Sequence, residues 1–197
     1  MDADPRPDEF LRSFPQAERV LDLGSLEGIQ AFRLAQGPAV KSVLGIEGRA
    51  ANLAKANFLR DLLGMHKVQF VQDDLEAIDL ERHGRFDAVF CAGVLYHLVE
   101  PWRLVAQIAR VTRNLYLFTH YAPDDRATHS RGGYRGWEYR EYGLQDPLSG
   151  LSPSSFWLTL AELRRMLAES GFDQLTVLQD RLDTPYGPFV HLIATMA

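Results

Sequence analysis

Short apolar runs alternate along this chain with longer stretches in which apolar positions recur at helical spacing. Val20-Leu21-Asp22-Leu23 and Val43-Leu44-Gly45-Ile46 read as strands, and Asn114-Leu115-Tyr116-Leu117-Phe118-Thr119-His120 as another. A helix is expected from near Gly28 to Gln36, where Gly37-Pro38 stops it. A second, from about Arg49 to Leu63, carries Leu53, Ala56, Leu59 and Leu63 on one face and ends at Gly64. Pro101 suits a first helical position, with Leu104, Ile108 and Val111 as the buried face behind it. Thr159-Leu160-Ala161-Glu162 is a capping box for a helix closed by Gly171. Strands around Gln174–Gln179 and Pro188–Thr195, joined by Pro185-Tyr186-Gly187-Pro188, predict an antiparallel hairpin. The alternation from Arg19 to about Tyr121, with short connections, predicts a parallel sheet with helices on both faces.

One segment breaks the rhythm. Residues 122–156 are polar and rich in glycine, arginine and aromatics, with Tyr134, Trp137, Tyr139 and Tyr142 close together. Long connections inside compact domains are usually functional or disordered. This one leaves the carboxyl end of the strand at 114–120, and exposing so many aromatic rings is costly, so it is read as an ordered, substrate-covering insertion. Residues 1–18 are read as an N-terminal extension, and 1–197 as one domain.

Composition narrows the classes. At 197 residues the chain can bury a full core, and its 46% hydrophobic and 24% charged content is ordinary for a soluble protein. A net charge of -5 argues against extended contact with nucleic acid or an anionic membrane. No run approaches the length of a membrane helix, and the acidic, proline-bearing start is unlike a signal peptide. The single cysteine, Cys91, leaves no internal disulfide and suits a reducing cytosol. A cytoplasmic monomer or homodimer is expected.

The chemistry is concentrated where the first two strands end. Asp22-Leu23-Gly24-Ser25-Leu26-Glu27-Gly28 leads from strand to helix, and Glu47-Gly48 closes the second strand. Ligands of open α/β sheets bind outside the carboxyl ends of the strands, and an acidic residue closing the second strand is the usual partner of ribose hydroxyls. An adenosine-containing molecule is therefore expected. In the dinucleotide fingerprint G-x-G-x-x-G the backbone approaches a pyrophosphate. Here the middle glycine is replaced by Leu26, and Asp22 and Glu27 bracket the turn. Carboxylates there repel a pyrophosphate but attract a sulfonium and an ammonium. S-adenosylmethionine carries both cations, and NAD does not.

These residues resemble the first motif of the class I S-adenosylmethionine-dependent methyltransferases, an acidic residue followed by G-x-G-x-G. The match holds at Asp22, Gly24 and Gly28 and departs at Leu26. The D-L-G-x-L-E-G variant is similar to that of a subgroup of small bacterial methyltransferases. Further stretches agree in order: Val68 to Leu75 resembles the third strand, Phe86 to Gly93 the fourth, and Val94-Leu95-Tyr96-His97-Leu98 the segment after it. The run from Glu162 to Phe172 resembles the family's final helix. The resemblance implies a Rossmann-like three-layer αβα sandwich, with a seven-stranded sheet of six parallel strands and one antiparallel. It implies Glu47 and Gly48 at the ribose and Asp74 with Leu75 at the adenine, Asp73 competing by one register position. Asp22, Gly24, Ser25 and Cys91 would surround the methionine portion.

The expected reaction is methyl transfer to an oxygen or nitrogen of a small molecule, a secondary metabolite or sugar-containing precursor. Such a displacement needs alignment and, for a protonated acceptor, a base near neutral pH. His97 and His120 are the candidate bases. Each has a bland alternative, His97 as a helix cap or gap filler and His120 as a ring bonded to loop backbone. Tyr96 and Tyr121 are expected to face the acceptor, with Trp137 and Tyr139 as an apolar wall. Arg135 and Arg140, with Arg131, are expected to clamp an anionic group, unless they pair with Glu138 and Glu141. The histidines show no metal-binding spacing, so no metal is expected. Rival readings are a tRNA-modifying methyltransferase, a non-catalytic cofactor-binding partner subunit and a nicotinamide dehydrogenase.

Overall fold

A computed structural model describes residues 4–146 and 148–197. The elements are α1 (Arg6–Ser13), β1 (Arg19–Leu23), α2 (Ile29–Leu34), β2 (Ser42–Glu47), α3 (Ala50–Leu62), β3 (Val68–Gln72), β4 (Ala88–Ala92) and α4 (Pro101–Val111). They continue as β5 (Asn114–His120), β6 (His129–Arg131), β7 (Tyr134–Arg140), β8 (Ser154–Leu158), α5 (Leu160–Glu169), β9 (Gln174–Arg181) and β10 (Phe189–Thr195). Single turns of 3₁₀ helix lie at Leu80–His83, Leu95–His97 and Gly143–Gln145.

The main sheet has seven strands in the order β3-β2-β1-β4-β5-β10-β9. β10 runs antiparallel to both β5 and β9, and the β1, β2, β3, β4 and β5 pairings are parallel. The expected architecture is therefore observed. Successive side chains of a strand point to opposite faces, and this alternation builds two separate cores. Leu21, Leu23, Val89, Cys91, Leu115 and Leu117 face α4 and α5, meeting Leu104, Ile108, Leu163 and Met166. Val20, Ala88, Phe90 and Tyr116 face the other way, onto Phe10 of α1 and Phe32 and Leu34 of α2. Thr159 Oγ accepts the Glu162 N–H at 3.2 Å, the cap expected of α5.

Two expectations are corrected. α3 stops at Leu62, so Leu63 lies past its end, and Phe58, Leu62 and Leu63 are all exposed. The helix sits over the edge of the sheet, and only a narrow stripe is covered. The third strand ends at Gln72 and the fourth begins at Ala88, both shorter than expected. The segment before Arg19, read as an N-terminal extension, carries α1 and packs against the sheet. Phe10 packs edge-on against Phe14, Phe90 and Tyr116, and Glu9 accepts the Tyr116 hydroxyl proton at 3.0 Å.

The 122–156 insertion carries β6, β7 and the start of β8, which form a second, three-stranded antiparallel sheet in the order β6-β7-β8. Its pairing sets Trp137 opposite Trp157 and Tyr139 opposite Ser155. The aromatic content is thus explained by cross-strand packing over the carboxyl end of the main sheet. Among the described residues no helix is long and apolar enough to cross a membrane.

Candidate active site

A cleft of about 280 Å³ opens at the carboxyl ends of β1, β2 and β4. The turn after β1 forms its floor. Gly24 has φ 69°, and a Cβ there would come within 2.6 Å of Val94 Cγ2. Two residues on, Leu26 has φ 47°, a left-handed conformation that costs an L-residue roughly 1–2 kcal/mol. The position where the family motif has glycine has thus kept glycine's backbone geometry without glycine. Glu47 braces this turn: its carboxylate accepts the Leu26 N–H at 3.0 Å and the Arg49 N–H at 2.8 Å while lining the cleft. Oε1 also accepts the Asn52 amide at 3.4 Å, whereas Oε2 has one donor and retains a lone pair for a hydroxyl.

Asp74 and Leu75 line the far end, where Asp74 Oδ1 accepts the Glu76 N–H at 3.0 Å. Asp73 also lines the cleft, but its carboxylate is held by Arg82 and by the Asp74 N–H. At the other end stands Arg6 of α1, 4.8 Å from the Phe118 ring and paired with Asp4 at 2.7 Å. Asp22 is fully buried, and among the described residues neither of its oxygens has a hydrogen-bond partner. Burial first, and then the neighbouring Glu47 charge, push its pKa up to about 8, against the opposing pull of Arg6. A buried carboxyl without partners next to a cleft is suited to a cationic ligand, and a sulfonium fits it. Acidic groups at the middle and far end fit ribose hydroxyls and an adenine amino group, and Arg6 fits a carboxylate. The residues present therefore fit S-adenosylmethionine.

A second cavity, of about 760 Å³, lies beneath the β6-β7-β8 sheet. Tyr139 and His120 both stack on Trp157, at 4.8 Å and 5.3 Å between ring centroids, and Trp137 meets it edge-on at 5.5 Å. Trp157 Nε1 is buried with no partner among the described residues. Tyr96, His97, Leu148 and Ser149 line both spaces, so the 3₁₀ turn after β4 is their common wall.

His97 is held there by a residue from the insertion. Its Nδ1 lies 3.1 Å from Glu141 Oε1, and Ser155 Oγ donates to the same oxygen at 2.7 Å. The other oxygen accepts from the Gly150 N–H at 2.9 Å and from Ser149 Oγ. Despite burial, these donors hold the Glu141 carboxyl down at about 2. The strap from Glu141 to Leu151 is tied at its other side by Arg49, whose Nη2 donates to the carbonyls of Asp146 at 2.9 Å and Ser149 at 2.7 Å.

The remaining expected residues are placed as follows. Gly24, Glu47, Gly48, Asp73, Asp74 and Leu75 line the cleft, whereas Asp22, Ser25 and Cys91 are buried beside it and do not. Burial raises the Cys91 thiol pKa, which leaves it unreactive. His97 and Tyr96 touch both spaces; His120, Trp137 and Tyr139 line only the second cavity. His120 Nδ1 is 3.1 Å from the Pro188 carbonyl, the backbone bond foreseen as its bland alternative. Tyr121 turns away, donating to Asp180 at 2.8 Å. The arginine clamp is not assembled: Arg135 is occupied by the carbonyls of Ala127 and Asp124, Arg131 pairs with Glu138, and Arg140 does not line the cavity. Among the described residues, no three His, Cys, Asp or Glu side chains converge as metal ligands do. Sequence reasoning missed Arg6, Arg49 and Glu141 as parts of the site.

Residues 21–115, from β1 into β5, match the family described as a methyltransferase domain. The N-terminal domain of EvdMO1, crystallised with SAH (S-adenosylhomocysteine) bound, is 38% identical with a TM-score of 0.90, covering 100% of this chain and 82% of that one. The same domain crystallised in the presence of SAH and D-fucose gives 37% and 0.89, with coverage of 100% and 84%. A tRNA U34 carboxymethyltransferase of Desulforapulum autotrophicum is 35% identical over 91 residues, which is 46% of this chain. The chain spans only 27% of that curated relative's length.

Proposed function

Because this chain belongs to the class I S-adenosylmethionine-dependent methyltransferases, we propose that it methylates a hydroxyl of a small sugar-like molecule. S-adenosylmethionine is its methyl donor and S-adenosylhomocysteine the product. The observation that carries the acceptor reading is the aromatic-walled cavity sharing Tyr96 and His97 with the cofactor cleft. Ring faces such as those of Trp157 and Tyr139 pack against the C–H face of a pyranose, and a few placed polar groups fix its orientation. Trp157 Nε1, buried without an acceptor, and Asp125 and Arg126 on the rim supply such groups. The relative crystallised in the presence of D-fucose supports the same class of ligand.

In this reading Glu47 takes the ribose hydroxyls, Asp74 and the Leu75 backbone the adenine edge, and Arg6 the carboxylate of the methionine portion. The cofactor, when bound, supplies a methyl carbon activated by its sulfonium. The protein's own work is to align the acceptor oxygen, exclude water beneath the second sheet and accept the hydroxyl proton. Two measurements test the reading. Titration calorimetry with S-adenosylhomocysteine and, separately, NADH should show binding of the former alone, weakened at least about tenfold by Glu47→Ala. Mass spectrometry of D-fucose and its methyl glycosides after incubation with S-adenosylmethionine should show a gain of one methyl group. Absence of methylated sugar, with cofactor binding intact, would overturn the sugar acceptor.

A further inference from the structure

Glu141 lies 44 residues from His97 in sequence, just past the end of β7, and the fold buries its carboxylate against the imidazole. We infer that Glu141 is a positioning residue: it fixes His97 in the tautomer whose Nε2 is unprotonated, making that nitrogen the proton acceptor for the substrate hydroxyl. The inference deepens the reading of a hydroxyl acceptor and rests on it for its catalytic meaning.

The argument is one of donors and acceptors. An ionised carboxylate only accepts hydrogen bonds. Glu141 collects two hydroxyls, one backbone N–H and the His97 ring, and the first three of these groups are donors. The ring must therefore present Nδ1–H to it. A neutral imidazole has one N–H, so the lone pair is left on Nε2, for which no hydrogen-bond partner is found among the described residues. His97 lines both the cofactor cleft and the acceptor cavity, whereas His120 lines only the cavity. Two rings complete the surroundings. Tyr96 lies 4.2 Å from His97 between centroids, and His120 lies 4.8 Å beyond, edge-on to Tyr96. Burial keeps Tyr96 protonated and disfavours charge on His120, so Glu141 is the anion that faces His97.

The proton balance closes without another reactant. As the acceptor oxygen bonds to the methyl carbon, the carbon–sulfur electron pair leaves with sulfur, and the hydroxyl proton passes to Nε2. The imidazolium so formed is neutralised by the adjacent Glu141 carboxylate, and water removes the proton later.

Long-range ¹H–¹⁵N correlation spectra of histidine-labelled protein with S-adenosylhomocysteine test this without any acceptor. The ring assigned by its loss in His97→Gln should show protonated Nδ1 and bare Nε2. In Glu141→Gln, with a neutral amide replacing the charge, the Nε2–H form should gain about tenfold relative to the Nδ1–H form. An Nε2–H ring in the wild type overturns the inference even if the variant fails to fold. An unchanged tautomer ratio in a folded Glu141→Gln overturns it equally. Turnover with D-fucose gives the second arm: His97→Gln should lose about 100-fold or more in kcat, and Glu141→Gln a smaller share at unchanged KM for the cofactor. If D-fucose is not methylated at all, the sugar reading falls while the spectra still decide the dyad.

Discussion

Asp22 makes the fold sensitive to pH in the direction opposite to most carboxylates. Its side chain is fully buried, neither oxygen has a partner, and its pKa stands at about 8 instead of 3.8. Between those two values the folded protein keeps a proton that the unfolded chain has released. The native state then binds more protons than the unfolded one, so stability falls as pH rises from about 4 to about 8. At about 1.4 kcal/mol per pH unit the ceiling on this loss is roughly 6 kcal/mol. Replacing Asp22 by Asn keeps the shape and removes the titration. Urea unfolding of the apo protein at several pH values should therefore give two curves that separate steadily. The variant should match the wild type near pH 4 and exceed it by several kcal/mol at pH 8. The cofactor sharpens the test, because S-adenosylmethionine brings a cation into the cleft and favours ionised Asp22. Calorimetry at pH 7 in buffers of different ionisation enthalpy should show proton release on binding, and less with the uncharged sulfur of S-adenosylhomocysteine. Stability curves that stay parallel from pH 4 to 8 would refute the buried, unpaired carboxyl as the origin.

Two further outcomes follow from the same geometry. Leu26→Gly removes a left-handed leucine whose side chain is 41% exposed, so relief of roughly 1–2 kcal/mol of backbone strain should outweigh the entropy of the added glycine by about 0.5 kcal/mol; a loss above about 1 kcal/mol in urea would show that the side chain packs more than its exposure implies. Glu141 acts with the ordinary sign: held at about 2 in place of 4.5, it contributes about 3 kcal/mol above pH 4.5 that disappears as pH falls towards 2. Acid unfolding of Glu141→Gln should be correspondingly shallower across that window, followed by tryptophan fluorescence because Trp157 lies on the same hairpin.

The main sheet was legible because its strands are short apolar runs, most of which pair with the strand next to them in sequence. Asn114–His120 was read with its observed bounds, and the Thr159 cap and the final hairpin came from local turn chemistry that tertiary packing reinforces. Where local pattern misled, packing geometry was the cause. Leu63 continues the apolar spacing of α3, yet a helix over a sheet edge has nothing to cover its last turn. The cofactor cleft was legible for a related reason: Gly24, Glu47 and Asp74 each stand at the end of a strand, and parallel pairing brings those ends together.

The acceptor side obeys a different logic. Glu141 stands among Arg135, Arg140 and Glu138, where charge alone pairs it with arginine. The alternation along β7 instead sends Trp137 and Tyr139 into the cavity, and two residues further on the carboxylate enters the same space. Glu138 and Arg140 stand at even-numbered positions and do not line the cavity, while Arg135, of the same parity as Trp137, is taken up by the carbonyls of Ala127 and Asp124. Period-2 alternation from Trp137 thus distinguishes Glu141 from Glu138, but only once residues 134–140 are known to be a strand. A segment read as an ordered cover, with no strand assigned in it, carries no such phase. The carboxylate beside His97 was therefore hidden by the secondary structure assigned around it, and a candidate histidine in such an enzyme should be matched against every carboxylate that a strand register can bring opposite it.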